Sequence, residues 1–243
     1  IDALRAQIET GRGAEQNAEL EARLAGIQAE VDGFQVALED LAARIHSLDA
    51  DDAMPPALPG QVRLQVPAQK QGRNLSCESA AASMAARYQG VPLDEDEVLA
   101  ALPRHPNPHL GFRGSVDGQP GGLEDYGVYA GPILAVLRAR GLDARAVENG
   151  LAGIKAALAR GNPVVAWITY NCQPGNPTTV MVDGEAVDLV AYQHAVVLTG
   201  YNDQGVWAND PWDGREDFYA NDDLERAMGY LGDMAIEVGP PGE

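Results

Sequence analysis

The sequence is poor in cysteine and lysine and has no long apolar run. Its 243 residues include two cysteines, Cys77 and Cys172, and two lysines, Lys70 and Lys155. Two cysteines are too few for a disulfide scaffold or for a structural zinc site built mainly of thiolates. They act as chemistry, as one bridge, or as incidental thiols. No run approaches the roughly 20 apolar residues that cross a bilayer, and no signal peptide is visible at the start. The chain begins at Ile1 without a methionine, so a removed upstream signal or anchor is expected, and with it an extracellular or cell-surface location; a cytoplasmic one is the alternative. Basic side chains number 17 against 36 acidic ones, a formal charge of −19 with pI near 4.4. A surface this negative repels phosphates and shows no basic stripe, which argues against a nucleic-acid partner.

Residues 1–50 carry ten acids against four arginines, so most of the acidic excess lies beyond them. Within this segment Leu20, Leu24, Ile27, Val31, Phe34, Leu38, Leu41, Ile45 and Leu48 alternate steps of four and three. That narrow seam predicts a coiled-coil helix over residues 1–50, with oligomerisation or a partner chain as its use. An amphipathic helix folded onto its own domain is the simpler alternative. Three prolines follow in the stretch DADDAMPPALPG, which predicts a semi-rigid linker over 51–60 and a second domain over 61–243.

In that domain, the sequence predicts a short strand at 62–66, an alanine-rich helix at 76–89, and a helix from Pro92 to Leu102 capped by Asp94. Residues 103–131 are rich in proline and glycine and read as a long functional loop. Helices at 132–140 and 151–160 flank a strand at 144–147. Strands are expected at 163–170, 186–191, 194–201, 206–208 and 234–238. Helices first and strands later indicate an α+β domain.

Four residues carry the candidate chemistry. Cys77 opens the alanine-rich helix, where Asn74 or Ser76 can cap it and the helix dipole favours a thiolate. Gln71, six residues upstream in QGRNLSC, can join the Cys77 N–H in holding an oxyanion. His194 opens the apolar run HAVVLTGYN. After the turn at Asn202–Gly205, Asp210 ends the next strand in VWANDPW, where antiparallel pairing brings it toward His194 to fix the imidazole tautomer. Taken singly, a buried inert thiol, a core histidine and a turn aspartate before Pro211 are the commoner explanations. Together they describe a nucleophile, its base and the group that orients the base. Trp212 is expected to shield the His194–Asp210 pair, Trp167 and Trp207 to be core or groove walls, and Cys172 to be a loop thiol. His105 and His109 sit in a loop whose prolines prevent helical metal-ligand spacing, so no metal and no cofactor is expected.

The order Gln71, Cys77, His194, Asp210 resembles the papain-like cysteine peptidases. The helix straight after the cysteine, the H-x-V-V-x-x-G-Y run and D-P-W-D-G at the aspartate resemble most the bacterial branch related to the bacteriocin-processing peptidases, family thirty-nine. NPHLGFRG, Tyr126-Gly127-Val128-Tyr129 and GNPVVAWITYN resemble its stand-alone members, which lack a transporter. The resemblance implies a papain-like fold with a helical half and an antiparallel sheet. It implies Cys77 as nucleophile, His194 as base, Asp210 as its orienting residue, Gln71 as oxyanion donor, and a peptide or protein substrate. One departure stands out: many members have Asp-Cys-Gly at the nucleophile, whereas this chain has Ser76-Cys77-Glu78, and a glutamate beside the thiol raises its pKa unless it points to solvent. The expected function is hydrolysis of a peptide or isopeptide bond. The alternatives are a non-catalytic peptide-binding or assembly module, and an acyltransferase using the same thioester. The acidic surroundings should favour basic or neutral peptides.

Overall fold

Two strands that are apolar at nearly every position, β3 (Val164–Thr169) and β6 (Gln193–Tyr201), form the centre of the fold. Such runs are expected where both faces of a sheet are covered. In the computed structural model, which describes residues 58–242 together with Arg23 and Ile27, β3 and β6 pair antiparallel from Val164–Leu198 to Thr169–Gln193. The predicted coiled coil and most of the linker lie outside the described residues. Around this pair stand β1 (Val62–Arg63), β2 (Leu142–Ala146), β7 (Gly205–Asp210), β8 (Arg215–Ala220) and β9 (Ala235–Pro241). The strand order is β2-β9-β3-β6-β7-β8, and β1 pairs with the far end of β6. A separate hairpin joins β4 (Pro177–Val182) to β5 (Glu185–Val190).

Alternation along the strands divides the core. Val165, Trp167, Ala195 and Val197 face one layer, formed by helices α1 (Cys77–Tyr88), α2 (Glu95–Ala101) and α3 (Ala130–Ala139). Val164, Ala166, Ile168, Val196 and Leu198 face the other, formed by α4 (Gly150–Ala159) and α5 (Asn221–Gly229). The α+β expectation holds, with helices on both faces of an antiparallel sheet. The alanine-rich sequence of α1 has a packing cause. Ala80, Ala81, Ala82, Ala85 and Ala86 are all fully buried, and small side chains let a helix lie close to its neighbours.

Several local expectations change. The strand at 62–66 shortens to two paired residues, Val62 opposite Tyr201 and Arg63 opposite Gly200, while β6 bulges against β7 between Leu198 and Gly200. A Cβ at Gly200 would lie 2.3 Å from the Val62 carbonyl oxygen, so only glycine permits this approach. Ser76 stands at the N-cap of α1 without capping it; its Oγ lies 2.5 Å from Glu95 Oε1. Asn74 instead donates to the Asp117 carbonyl. The cap of α2 is as expected, since Glu97 reaches back to the Asp94 N–H at 3.0 Å. The 103–131 loop is pinned by buried Arg113, which donates to the carbonyls of Leu123 and Pro106.

Candidate active site

Strand register brings His194 toward Asp210. Val197 pairs with Asn209, so one step outward Asp210 lies across from Val196 and diagonal to His194 on the same face. Diagonal neighbours about 7–8 Å apart are within reach of long side chains. Here Nε2 of His194 lies 2.6 Å from Oδ1 of Asp210, with both residues buried. The same Oδ1 accepts the Trp212 backbone N–H at 2.7 Å. Asp210 is thus held from two sides. A neutral imidazole that donates Nε2–H to the carboxylate would present Nδ1 as the proton acceptor, the form a base requires.

Gln71 reaches this region through the turn between β7 and β8. Its backbone N–H donates to the Pro211 carbonyl at 2.6 Å, and Gly214 closes the turn against Lys70, where a Cβ would lie 2.9 Å from the backbone nitrogen of Lys70. Gln71, Cys77, His194 and Trp212 line one cavity of about 150 Å³. All four expected site residues are therefore brought together: Asp210 lies behind His194, and the other three lie at the cavity wall.

Two details depart from expectation. The amide nitrogen of Gln71 donates to the carbonyls of Arg73 and Asn74 at 2.7 and 3.0 Å, while Oε1 is buried without a partner. The thiol of Cys77 is not favoured toward the thiolate. Burial, and then Glu78, push it well above the usual thiol range, outweighing the Ala195 N–H that faces the sulfur. The helix-dipole expectation is outweighed first by burial of the thiol and then by Glu78, which points inward rather than to solvent. It is fully buried, and its Oε2 lies 3.4 Å from Cys77 Sγ. Burial also raises the pKa of Glu78 itself.

Trp212 is half exposed and shares the shielding role with a residue the sequence did not single out. Tyr170 lies edge-on to His194, with ring centroids 5.5 Å apart, and edge-on to Trp212 at 6.0 Å. Tyr192 forms another wall, packed on Gly121 so closely that a Cβ there would lie 2.4 Å from its ring. The loop signal at 119–122 was legible, but its partner 70 residues on was not. Trp167 is core, its indole N–H donated to the Val128 carbonyl. Trp207 lies against Phe218 and beneath the Arg63 guanidinium. Cys172 is buried at the end of a 3₁₀ turn (Tyr170–Cys172), and both cysteines are free. Among the described residues, no three histidine, cysteine or acidic side chains gather as metal ligands. No helix among them is long and apolar enough to cross a membrane.

Comparison with known proteins adds independent findings. A family model described as Peptidase_C39 like family matches residues 63–231, well over half of the chain. The uncharacterized protein YvpB of Bacillus subtilis is 25% identical over 174 residues, covering 67% of this chain and 68% of that protein. Among solved structures, a Bacillus anthracis protein assigned to the C39-like peptidases matches with a TM-score of 0.68 at 23% identity, over 76% of this chain and all of that one. A double glycine motif protease from an AMS/PCAT transporter, solved in complex with the leader peptide, matches with a TM-score of 0.47 at 18% identity, over 74% and 94% of the two chains.

Proposed function

Given that this chain belongs to the Peptidase_C39 like family, whose fold it shares, we propose that it is a cysteine peptidase in which Cys77, His194, Asp210 and Gln71 perform the chemistry. The observation that carries this reading is the buried His194–Asp210 pair beside a cavity that Cys77 and Gln71 also line. His194 Nδ1 takes the thiol proton as Sγ attacks the substrate carbonyl. The tetrahedral oxyanion is held by the Cys77 N–H and Gln71. His194 then returns the proton to the leaving amine, leaving a thioester that water, deprotonated by His194, hydrolyses. For Gln71 to serve, its amide must release one of its two carbonyl partners and turn an N–H into the cavity. The substrate would be a peptide or protein segment threading the cavity, with basic or neutral side chains favoured by an acidic rim that includes Asp125.

A second reading, a peptide-binding module without turnover, is favoured by a thiol whose pKa burial raises and by the committed Gln71 amide. Cys77→Ala separates the two. In the peptidase reading it abolishes hydrolysis of a peptide library and leaves peptide affinity intact. In the binding reading no hydrolysis is present to abolish. Adding an amine nucleophile to the same assay reports acyl transfer as an amide product. The coiled coil over residues 1–50 is proposed to set oligomeric state, checked by solution mass of the full chain. An extracellular or cell-surface location is likewise proposed, checked by fractionating cells that express the full gene product.

A further inference from the structure

The carboxyl beside the nucleophile is built into the fold. Glu78 is fully buried, and its Oε1 accepts two hydrogen bonds, from the Val128 N–H at 3.0 Å and from Gln193 Nε2 at 2.8 Å. Gln193 is steadied in turn by the Tyr126 carbonyl at 3.0 Å. Room for this clamp comes from Gly127, with φ of +121°. A Cβ there would lie 2.2 Å from Glu78 Oε1 and 2.8 Å from Gln193 Nε2. The remaining oxygen, Oε2, faces Cys77 Sγ. The titratable groups around Glu78 are Cys77 on α1, the Tyr126 and Tyr129 phenols before α3, and His194 beside Gln193 on β6. Both phenols are raised by burial and stay neutral, and among the described residues no cation is among the groups that act on the carboxyl. A salt-bridge role is therefore absent, and a merely structural carboxyl has no reason to aim an oxygen at a thiol.

We propose that Glu78 positions the Cys77 sulfur and, beside His194, governs whether that sulfur carries charge. The proposal rests on Cys77 being the nucleophile. With Glu78 ionised, the Cys77 S–H donates to Oε2 and a thiolate would face a second negative charge, so the thiol is held. With the proton on Oε2, the acid O–H donates to sulfur, and transfer of the thiol proton to His194 leaves a thiolate with a donor in place. Ionised Glu78 is thus a brake on the nucleophile, and protonated Glu78 releases it.

Glu78→Gln tests this. Its carbonyl can accept the Val128 and Gln193 donors, leaving an uncharged N–H facing sulfur, as in protonated Glu78. The readout is the rate of alkylation of Cys77 by iodoacetamide from pH 5 to 10, resolved from Cys172 by peptide mass. Only the thiolate reacts, and each unit of thiol pKa is a factor of ten below that pKa. The expected result is a profile displaced to lower pH, with alkylation at pH 7 about tenfold faster in E78Q. A gain in reactivity is not what loss of a structural contact produces. Gln193→Leu, which removes one donor from the ionised form, should displace the profile in the same direction by less, and serves if E78Q fails to fold. Superimposable or slower profiles in the folded variants would overturn the role of Glu78. The nucleophile reading is judged separately, by whether Cys77→Ala abolishes peptide hydrolysis.

Discussion

Glu78 and Glu237 are the same residue type, and each is at most 3% exposed, yet their surroundings drive them in opposite directions. Glu237 on β9 accepts hydrogen bonds from Arg145 at 3.0 and 3.1 Å, from Arg160 at 2.7 and 3.0 Å and from Asn162 at 2.6 Å. Burial pushes its carboxyl up, but these donors outweigh burial and hold it down at about 2. Glu78 has a backbone N–H, an amide and a thiol but, among the described residues, no cation, so burial wins and its pKa rises. One is a structural anion that ties β2, α4 and β9 together. The other is a carboxyl beside a sulfur, whose pKa burial raises. Burial alone says nothing about role; the presence or absence of a cation separates the two.

The comparison breaks or sharpens under substitution. The largest effects are expected on the sulfur side. Cys77→Ala should remove peptide hydrolysis, and His194→Ala should lower kcat about 10²–10⁴-fold, the usual worth of a positioned acid–base group. Both should leave the far-ultraviolet circular dichroism unchanged. Gln71→Ala should lower kcat about 10²–10³-fold with little change in KM, as expected for an oxyanion donor; a change confined to KM would instead make Gln71 a binding residue.

On the Glu237 side the effect is on stability alone. Its folded pKa is depressed below the ordinary value of 4.5, so its contribution is full above pH 4.5 and is lost as pH falls toward 2. Glu237→Gln should cost about 2 kcal/mol at pH 7, roughly 5 °C in melting temperature, and should flatten the acid limb of the stability profile. Activity per folded molecule should not move. For Glu78 the sign reverses. Its raised pKa makes stability greatest below the unfolded value and lower as pH rises through the folded one, so Glu78→Gln should gain relative to the native chain in alkaline buffer.

The legible parts of this fold were those with strong local signals. The apolar runs of β3 and β6, the alanine stretch of α1 and the Asp94–Glu97 cap are written in adjacent residues. The missed elements are short, polar or exposed. β8 is the edge strand REDFYA, which opens on three charged residues; β4 opens on Pro177 and is mostly exposed; α5 begins Asn-Asp-Asp. Their positions come from pairing and packing with elements already in place. The site divides the same way. Cys77, His194, Asp210 and Gln71 stand in recognisable strings, and the hairpin that joins His194 to Asp210 follows from its turn. The inward aim of Glu78 depends on Gly127 and Gln193, the latter 115 residues away, and no local pattern announces that. Gln71 lies at the cavity wall, but its hydrogen bonds to Arg73 and Asn74 come from a tight local turn that spacing does not show.

The most direct test of the central claim is titration of the folded chain with an irreversible thiol reagent while hydrolysis of a cleaved peptide is followed. Labelling of Cys77 in step with loss of hydrolysis, reaching one label per chain at zero activity, is the result expected. Hydrolysis that survives full labelling of Cys77, or that falls in step with labelling of Cys172 instead, would contradict it.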